Sequence, residues 1–169
     1  RMKQYARFNI TNLFLILSLS IVVAQQPAQA SPHIFGGQEA QPGAWPWMAA
    51  LVFRGDDPYF GQFCGGSLIQ QRWVLTAAHC VEDKTAADID IILGRHNLTD
   101  AGGERIAAQQ VIMHPSYDSN TFNHDMALIR LSQPSTAQVL PLLDTPNGYL
   151  ANPGVSATVI GWGNRSTTG

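Results

Sequence analysis

His79 is followed directly by Cys80 in the run Thr76-Ala77-Ala78-His79-Cys80. Imidazole titrates close to neutral pH, so such a histidine can move protons, ligate a metal or sit satisfied in a core. Asp125 stands just before the apolar run Met126 to Leu131, where a carboxylate can orient a partner or simply close a turn. Taken singly, each residue fits the structural role better than the chemical one. His33, His96, His114 and His124 form no i, i+4 pair and no HExxH pattern, so no metal site is expected. Cys64 and Cys80 are the two cysteines. In an exported protein they most simply form one disulfide, which by closing about 17 residues would contribute roughly 3 kcal/mol through the unfolded state. Two buried thiols are the alternative.

The elements that must position these residues read as short strands. Met48 to Phe53, Ile89 to Leu93, Ile106 to Met113, Met126 to Leu131 and Val155 to Ile160 are rich in β-formers and bounded by turn residues. Ser67 to Ile69 and Trp73 to Thr76 flank the polar Gln70-Gln71-Arg72 and read as a hairpin. Only Ala77 to Val81 reads as a helical turn. Pro134, Pro141, Pro146 and Pro153 break the stretch from 134 to 153, which reads as an extended connector. The pattern predicts an all-β fold, an antiparallel barrel or sandwich.

The first thirty residues read as a leader outside the fold. Arg1, Lys3 and Arg7 precede an apolar run from Leu13 to Ala24, and Ala28-Gln29-Ala30 gives a small-x-small cleavage pattern. A membrane anchor is the alternative; the short run and the cleavage pattern argue against it. Secretion is the expectation, to the periplasm if the source is bacterial. The whole chain is 45% hydrophobic and 13% charged, a globular composition. The leader holds three of the ten Lys+Arg and none of the twelve Asp+Glu, so the rest is acidic. No basic patch is evident, and nucleic acid is not an expected partner.

Several blocks, taken together, resemble the chymotrypsin/trypsin family of serine proteases. They are Ile34-Phe35-Gly36-Gly37, Pro46-Trp47, Phe63-Cys64-Gly65-Gly66-Ser67-Leu68-Ile69, Trp73-Val74-Leu75-Thr76-Ala77-Ala78-His79-Cys80, Asn123-His124-Asp125-Met126-Ala127-Leu128-Ile129-Arg130-Leu131 and Gly161-Trp162-Gly163. They occur in the family's order, from Ile34 to about Gly163. The resemblance implies two antiparallel barrels with the site between them. Residues 34–134 would form the first, 135–154 the connector and 155–169 the opening strand of a second, largely missing barrel. It implies that His79 is the general base, that Asp125 fixes its tautomer, and that Cys64 and Cys80 are bridged. Protein or peptide substrates and protein inhibitors are the implied partners; no cofactor is implied.

The resemblance also marks gaps. The family's nucleophilic serine lies in a GDSGG loop, and no such loop occurs here. Gly65-Gly66-Ser67 belongs to a strand motif and Ser156 to an expected strand, and neither fits a nucleophile turn. The chain alone is therefore expected to be inactive. A non-enzymatic homologue acting as a binding or regulatory module is the competing reading. His33 precedes Ile34, where the family has Arg or Lys before its activation N-terminus, so residues 31–33 read as a short propeptide removed by a non-tryptic activity. Arg95 stands where the first acidic calcium ligand of the Gly94 to Glu104 loop would be, and no calcium site is expected. Asn97-Leu98-Thr99 and Asn164-Arg165-Ser166 match the glycosylation pattern.

Overall fold

In a computed structural model of the chain, residues 37–163 are described. The expected leader, the propeptide, Ile34 and the Asn164 sequon lie outside them. Six strands, β1 (Met48–Phe53), β2 (Gln62–Gln70), β3 (Trp73–Thr76), β4 (Ile89–Leu93), β5 (Glu104–Met113) and β6 (Ala127–Leu131), close into a barrel in the order β1-β2-β3-β6-β5-β4. Every neighbouring pair is antiparallel. The all-β antiparallel barrel expected from the sequence is the fold observed. Closure leaves none of the six with an open edge, which removes the usual route to edge-to-edge association.

Side-chain alternation sorts the strands into an interior and an outer face. From β1, Ala49 and Leu51 enter the main core with Leu68, Val74, Ile89, Ile91, Leu93, Ile106, Ile129 and Leu131. Ala50 and Val52 point the other way, to a smaller cluster with Ile92 and Leu98. Strand β4 is therefore buried along its whole length. Trp162 covers the outer cluster and donates its indole N–H to the carbonyl of His96 at 2.8 Å. Each large side chain fully buried in this way contributes about 1.5–3 kcal/mol.

Two charged networks fix the loops around the barrel. Asp90, on β4, has a side chain only 9% exposed and receives Arg105 Nε at 2.7 Å and Arg54 Nε at 3.3 Å. Arg95 spans its own loop, donating to the carbonyls of Gly102 (2.7 Å) and Leu98 (3.4 Å).

Three local readings need correction. Val155 to Ile160 forms no strand here; among the described residues it has no ladder partner, and a strand exists only through its neighbour. The connector is not extended throughout, because Thr145–Ala151 winds into a 3₁₀ stretch. Asp144 caps it by accepting from the Asn147 N–H, and Pro146 suits a first turn. Pro58–Gly61 forms a further helical turn, initiated by the Asp57 carboxylate accepting from the Tyr59 N–H at 2.9 Å.

Candidate functional site

The chemistry-bearing residues meet at one end of the barrel. Strand β3 ends at Thr76, whose hydroxyl donates to the Gly65 carbonyl at 2.8 Å and ties the strand end to β2. The chain then turns through Ala77 into a 3₁₀ turn, Ala78–Cys80, that carries His79. Ala78 and Cys80 are buried while His79 faces outward. Small and apolar neighbours thus sink the turn into the core and lift the imidazole to the surface. The Cys64–Cys80 disulfide anchors the same turn to β2, with Cα atoms 6.1 Å apart.

Asp125 arrives from the other side, at the end of the loop joining β5 to β6. Its Oδ2 lies 2.7 Å from His79 Nδ1, and its Oδ1 accepts the main-chain N–H of His79 at 2.9 Å. The hydrogen bond from the His79 ring, then that from the His79 backbone, holds the Asp125 carboxyl below its ordinary value of 3.8. A carboxylate at Nδ1 makes that nitrogen the N–H donor and leaves Nε2 with a free lone pair. Nε2 lies 3.6 Å from Cys80 Sγ. The carboxylate side chain is 23% exposed and the imidazole 48%. Partial shielding strengthens the pair, while the imidazole stays open to its surroundings.

The loop that delivers Asp125 is held by its own hydrogen bonds. His114 N–H donates to the Met126 carbonyl at 2.9 Å and closes its base. Asp118 and Asn123 pair across its tip, and Asp118 accepts from the Asn120 N–H. Phe122 and His124, which lie on this approach to Asp125, both adopt left-handed backbone (φ 54° and 55°). Non-glycine residues hold that conformation only where their surroundings enforce it. The His124 ring stacks on His114, with centroids 4.7 Å apart and planes 9° from parallel. Phe122 meets the His79 ring edge to face, with centroids 6.0 Å apart.

The sequence reading did not find these last contacts. Phe122 carries no signal in the sequence, His114 reads there only as a histidine without metal-ligand spacing, and His124 only as that and as part of the Asn123–Leu131 block. Cys64, His79 and Cys80 have ligand atoms within 4.8 Å of one another, a spacing that would suit a metal. Both sulfurs are consumed in the bridge, however, and a disulfide offers no thiolate.

Comparison with known proteins gives this arrangement its context. The chain is 32% identical over 168 residues to chymotrypsin-like elastase family member 1 of Bos taurus, covering 93% of this chain and 62% of that protein. It is 34% identical over 159 residues to cationic trypsin-3 of Rattus norvegicus, covering 93% and 60%. With brachyurin of Leptuca pugilator it shares 38% over 138 residues, covering 77% and 55%. Among solved structures, the VesB protease of Vibrio cholerae superposes with a TM-score of 0.61 at 44% identity, covering 63% of this chain and 33% of that one. The chain thus spans about three fifths of the length of the first of these relatives. The trypsin family model matches continuously from residue 34 to residue 169, and the chain belongs to that family.

Proposed function

We propose that this chain supplies the general base and its orienting carboxylate to a serine endopeptidase. The observation that carries the reading is the 2.7 Å contact between His79 Nδ1 and Asp125 Oδ2, in a turn pinned by the Cys64–Cys80 bridge. Asp125 keeps the Nδ1 proton in place, so Nε2 is the nitrogen free to accept one. In the reaction a serine O–H gives its proton to Nε2 as its oxygen bonds to the substrate carbonyl carbon. The imidazolium then returns that proton to the leaving amine as the C–N bond breaks. Asp125 balances the imidazolium while it exists. The roles follow the family's triad; the geometry of His79 and Asp125 is what fits this chain to them.

The nucleophile and the oxyanion donors are assigned to protein sequence beyond the 169 residues. No GDSGG run occurs in the chain, and acyl transfer needs nucleophile, base and oxyanion donors within hydrogen-bond reach of one another. The leader-like segment 1–30 supports export, and Ile34 is assigned as the N-terminus released on activation. Protein or peptide chains are the substrates, and protein inhibitors of such enzymes the further partners. Among the described residues, no helix is long and apolar enough to cross a membrane.

The test is peptide hydrolysis by the complete natural protein and by its His79→Ala variant. Hydrolysis in the first and its loss by several orders of magnitude in the second is the expected result. Equal hydrolysis by both, or none by the complete activated protein, would overturn the reading, the latter in favour of a non-enzymatic homologue. Residues 1–169 expressed alone are expected to show no turnover. N-terminal sequencing of the active form is expected to begin at Ile34.

A further inference from the structure

The segments that carry His79 and Asp125 are joined a second time, away from the imidazole. The Tyr117 hydroxyl, in the Asp125 loop, donates to Glu82 Oε2 at 3.0 Å, just beyond the His79 turn. We infer that Tyr117 and Glu82 are positioning residues, a strap that holds the Asp125 carboxylate at hydrogen-bonding distance from the His79 ring; its kinetic consequence rests on the protease reading above.

Both ends of the strap are anchored independently of each other. Tyr117 is half-buried, its ring packs against the main core, and its N–H donates to the His114 carbonyl at 3.0 Å, so its hydroxyl is presented from a fixed place. Glu82 belongs to a run of consecutive turns continuing from His79, with Val81 N–H on the Ala78 carbonyl (2.9 Å) and Lys84 N–H on the Val81 carbonyl (3.1 Å). Lys84 fixes the far end of that run by placing its ammonium over the rings of Phe63 and Phe53, 5.1 and 5.9 Å from their centroids. Cation–aromatic contacts of this length are attractive.

The loop from His114 to Met126 is closed at its base and paired across its tip. The β3–β6 ladder, ending at the Thr76–Ala127 pair, joins the bases of the two segments; beyond it, among the described residues, the loop meets the His79 turn through the Asp125 carboxylate itself, the Phe122 ring edge and the strap. Of these three the strap alone is independent of the His79 ring and backbone. It therefore holds the parts of the two segments that lie beyond the β3–β6 ladder together even while the imidazole changes charge or moves during a reaction. The Tyr117 phenol is pushed up to about 12, first by desolvation and then by the Glu82 carboxylate, so it remains a donor across any ordinary working range.

The test uses the complete natural protein and two readouts, steady-state peptide hydrolysis and the proton NMR signal of His79 Nδ1–H. Tyr117→Phe removes one hydroxyl and keeps the ring. It is expected to lower kcat about fivefold with KM held within about twofold, and to broaden the Nδ1–H signal by faster exchange. Glu82→Gln keeps an acceptor and is expected to restore near-native values, whereas Glu82→Ala should reproduce Tyr117→Phe. The double variant, Tyr117→Phe with Glu82→Ala, should be no worse than either single one, because both remove the same bond. Unchanged kcat and an unchanged Nδ1–H signal in Tyr117→Phe, or single effects that simply add, would overturn the inference. Glu82 is exposed, so Glu82→Ala keeps the test available should Tyr117→Phe fail to fold. His79→Ala run in parallel reports on the protease reading alone, and the NMR arm decides the strap whichever way that control falls.

Discussion

Asp125 grips His79 at two points, the ring and the main chain, using a different carboxylate oxygen for each: Oδ2 at 2.7 Å from Nδ1 and Oδ1 at 2.9 Å from the backbone nitrogen. Both partners are donors, so the side chain at this position must offer two acceptors. An asparagine cannot. In Asp125→Asn the amide oxygen can serve only one of the two sites, and the amide NH₂ meets the other. If it faces the ring, Nδ1 must become the acceptor and Nε2 the N–H. The nitrogen that the proposed function assigns as base is then blocked. The expected loss in kcat of the complete protein is about 10⁴-fold, a magnitude carried over from the family's triad rather than calculated from this geometry. Kinetics together with ¹⁵N NMR of the His79 ring check it. Near-native rates with Nε2 protonated would contradict the assigned role.

The same grip predicts a pH dependence of stability. Hydrogen bonds from the His79 ring and backbone hold the Asp125 carboxyl below its ordinary value of 3.8. A depressed folded-state value means that the unfolded chain binds the proton more readily. The stabilisation is therefore complete above about pH 4 and is lost as pH falls through the folded-state value. Partial solvent exposure keeps the effect modest. Urea midpoints of the native protein and Asp125→Asn should differ at neutral pH and converge as the solution is acidified through that window. A gap that widens on acidification would show that another group dominates.

Some of this was legible in the sequence, and the reasons differ by element. Strands β1, β3, β4 and β6 were found close to their observed bounds because each is a short β-rich run between turn residues. Even β4, buried on both faces, was legible, because Gly94 marks its end. His79 and Asp125 were legible only through the family resemblance, since nothing in a separation of 46 residues encodes a contact. The Tyr117–Glu82 bond, the His114–His124 stack and the Phe122 contact were not legible at all. They depend on a loop with two left-handed non-glycine residues, a conformation that no sequence period announces. Val155 to Ile160 failed for another reason. Its β-forming residues are real, but a strand is a property of a pair.

The Cys64–Cys80 bridge is expected to matter to both stability and site. It closes a loop with a sequence separation of 16, for which the chain-entropy argument gives about 3 kcal/mol. Replacing both cysteines by serine should lower the unfolding free energy by roughly that amount, measured by urea denaturation. Cys80 is buried beside His79 and is its covalent neighbour, so the turn should also loosen. Faster exchange of the His79 Nδ1 proton under native conditions would register this. A double variant as stable as the native protein would mean that packing of Ala78 and Val81 and the Asp125 hydrogen bonds hold the turn without the bridge.

The two glycines after Cys64 have unequal duties. A Cβ built on Gly66 would lie 2.8 Å from the Leu75 carbonyl oxygen and 2.8 Å from Val74 Cγ1, closer than real Cβ atoms come to their neighbours. One of these obstacles is backbone, so β2 and β3 would have to separate. At Gly65 the nearest atoms are the Ala49 oxygen at 3.9 Å and Met48 Cε at 4.0 Å, an ordinary contact. Gly66→Ala is therefore expected to cost about 1–3 kcal/mol, by forced displacement in a packed barrel. Gly65→Ala should stay within about 1 kcal/mol, since any small packing adjustment is offset by a less flexible unfolded chain. Urea unfolding of the two variants side by side checks the asymmetry. The consequence extends to the site, because β3 leads directly into the His79 turn and Thr76 is held by the Gly65 carbonyl. In the complete protein, Gly66→Ala should therefore lose activity beyond what its folded fraction explains, while Gly65→Ala should not. Equal behaviour of the two would show that the β2–β3 spacing does not govern where the imidazole sits.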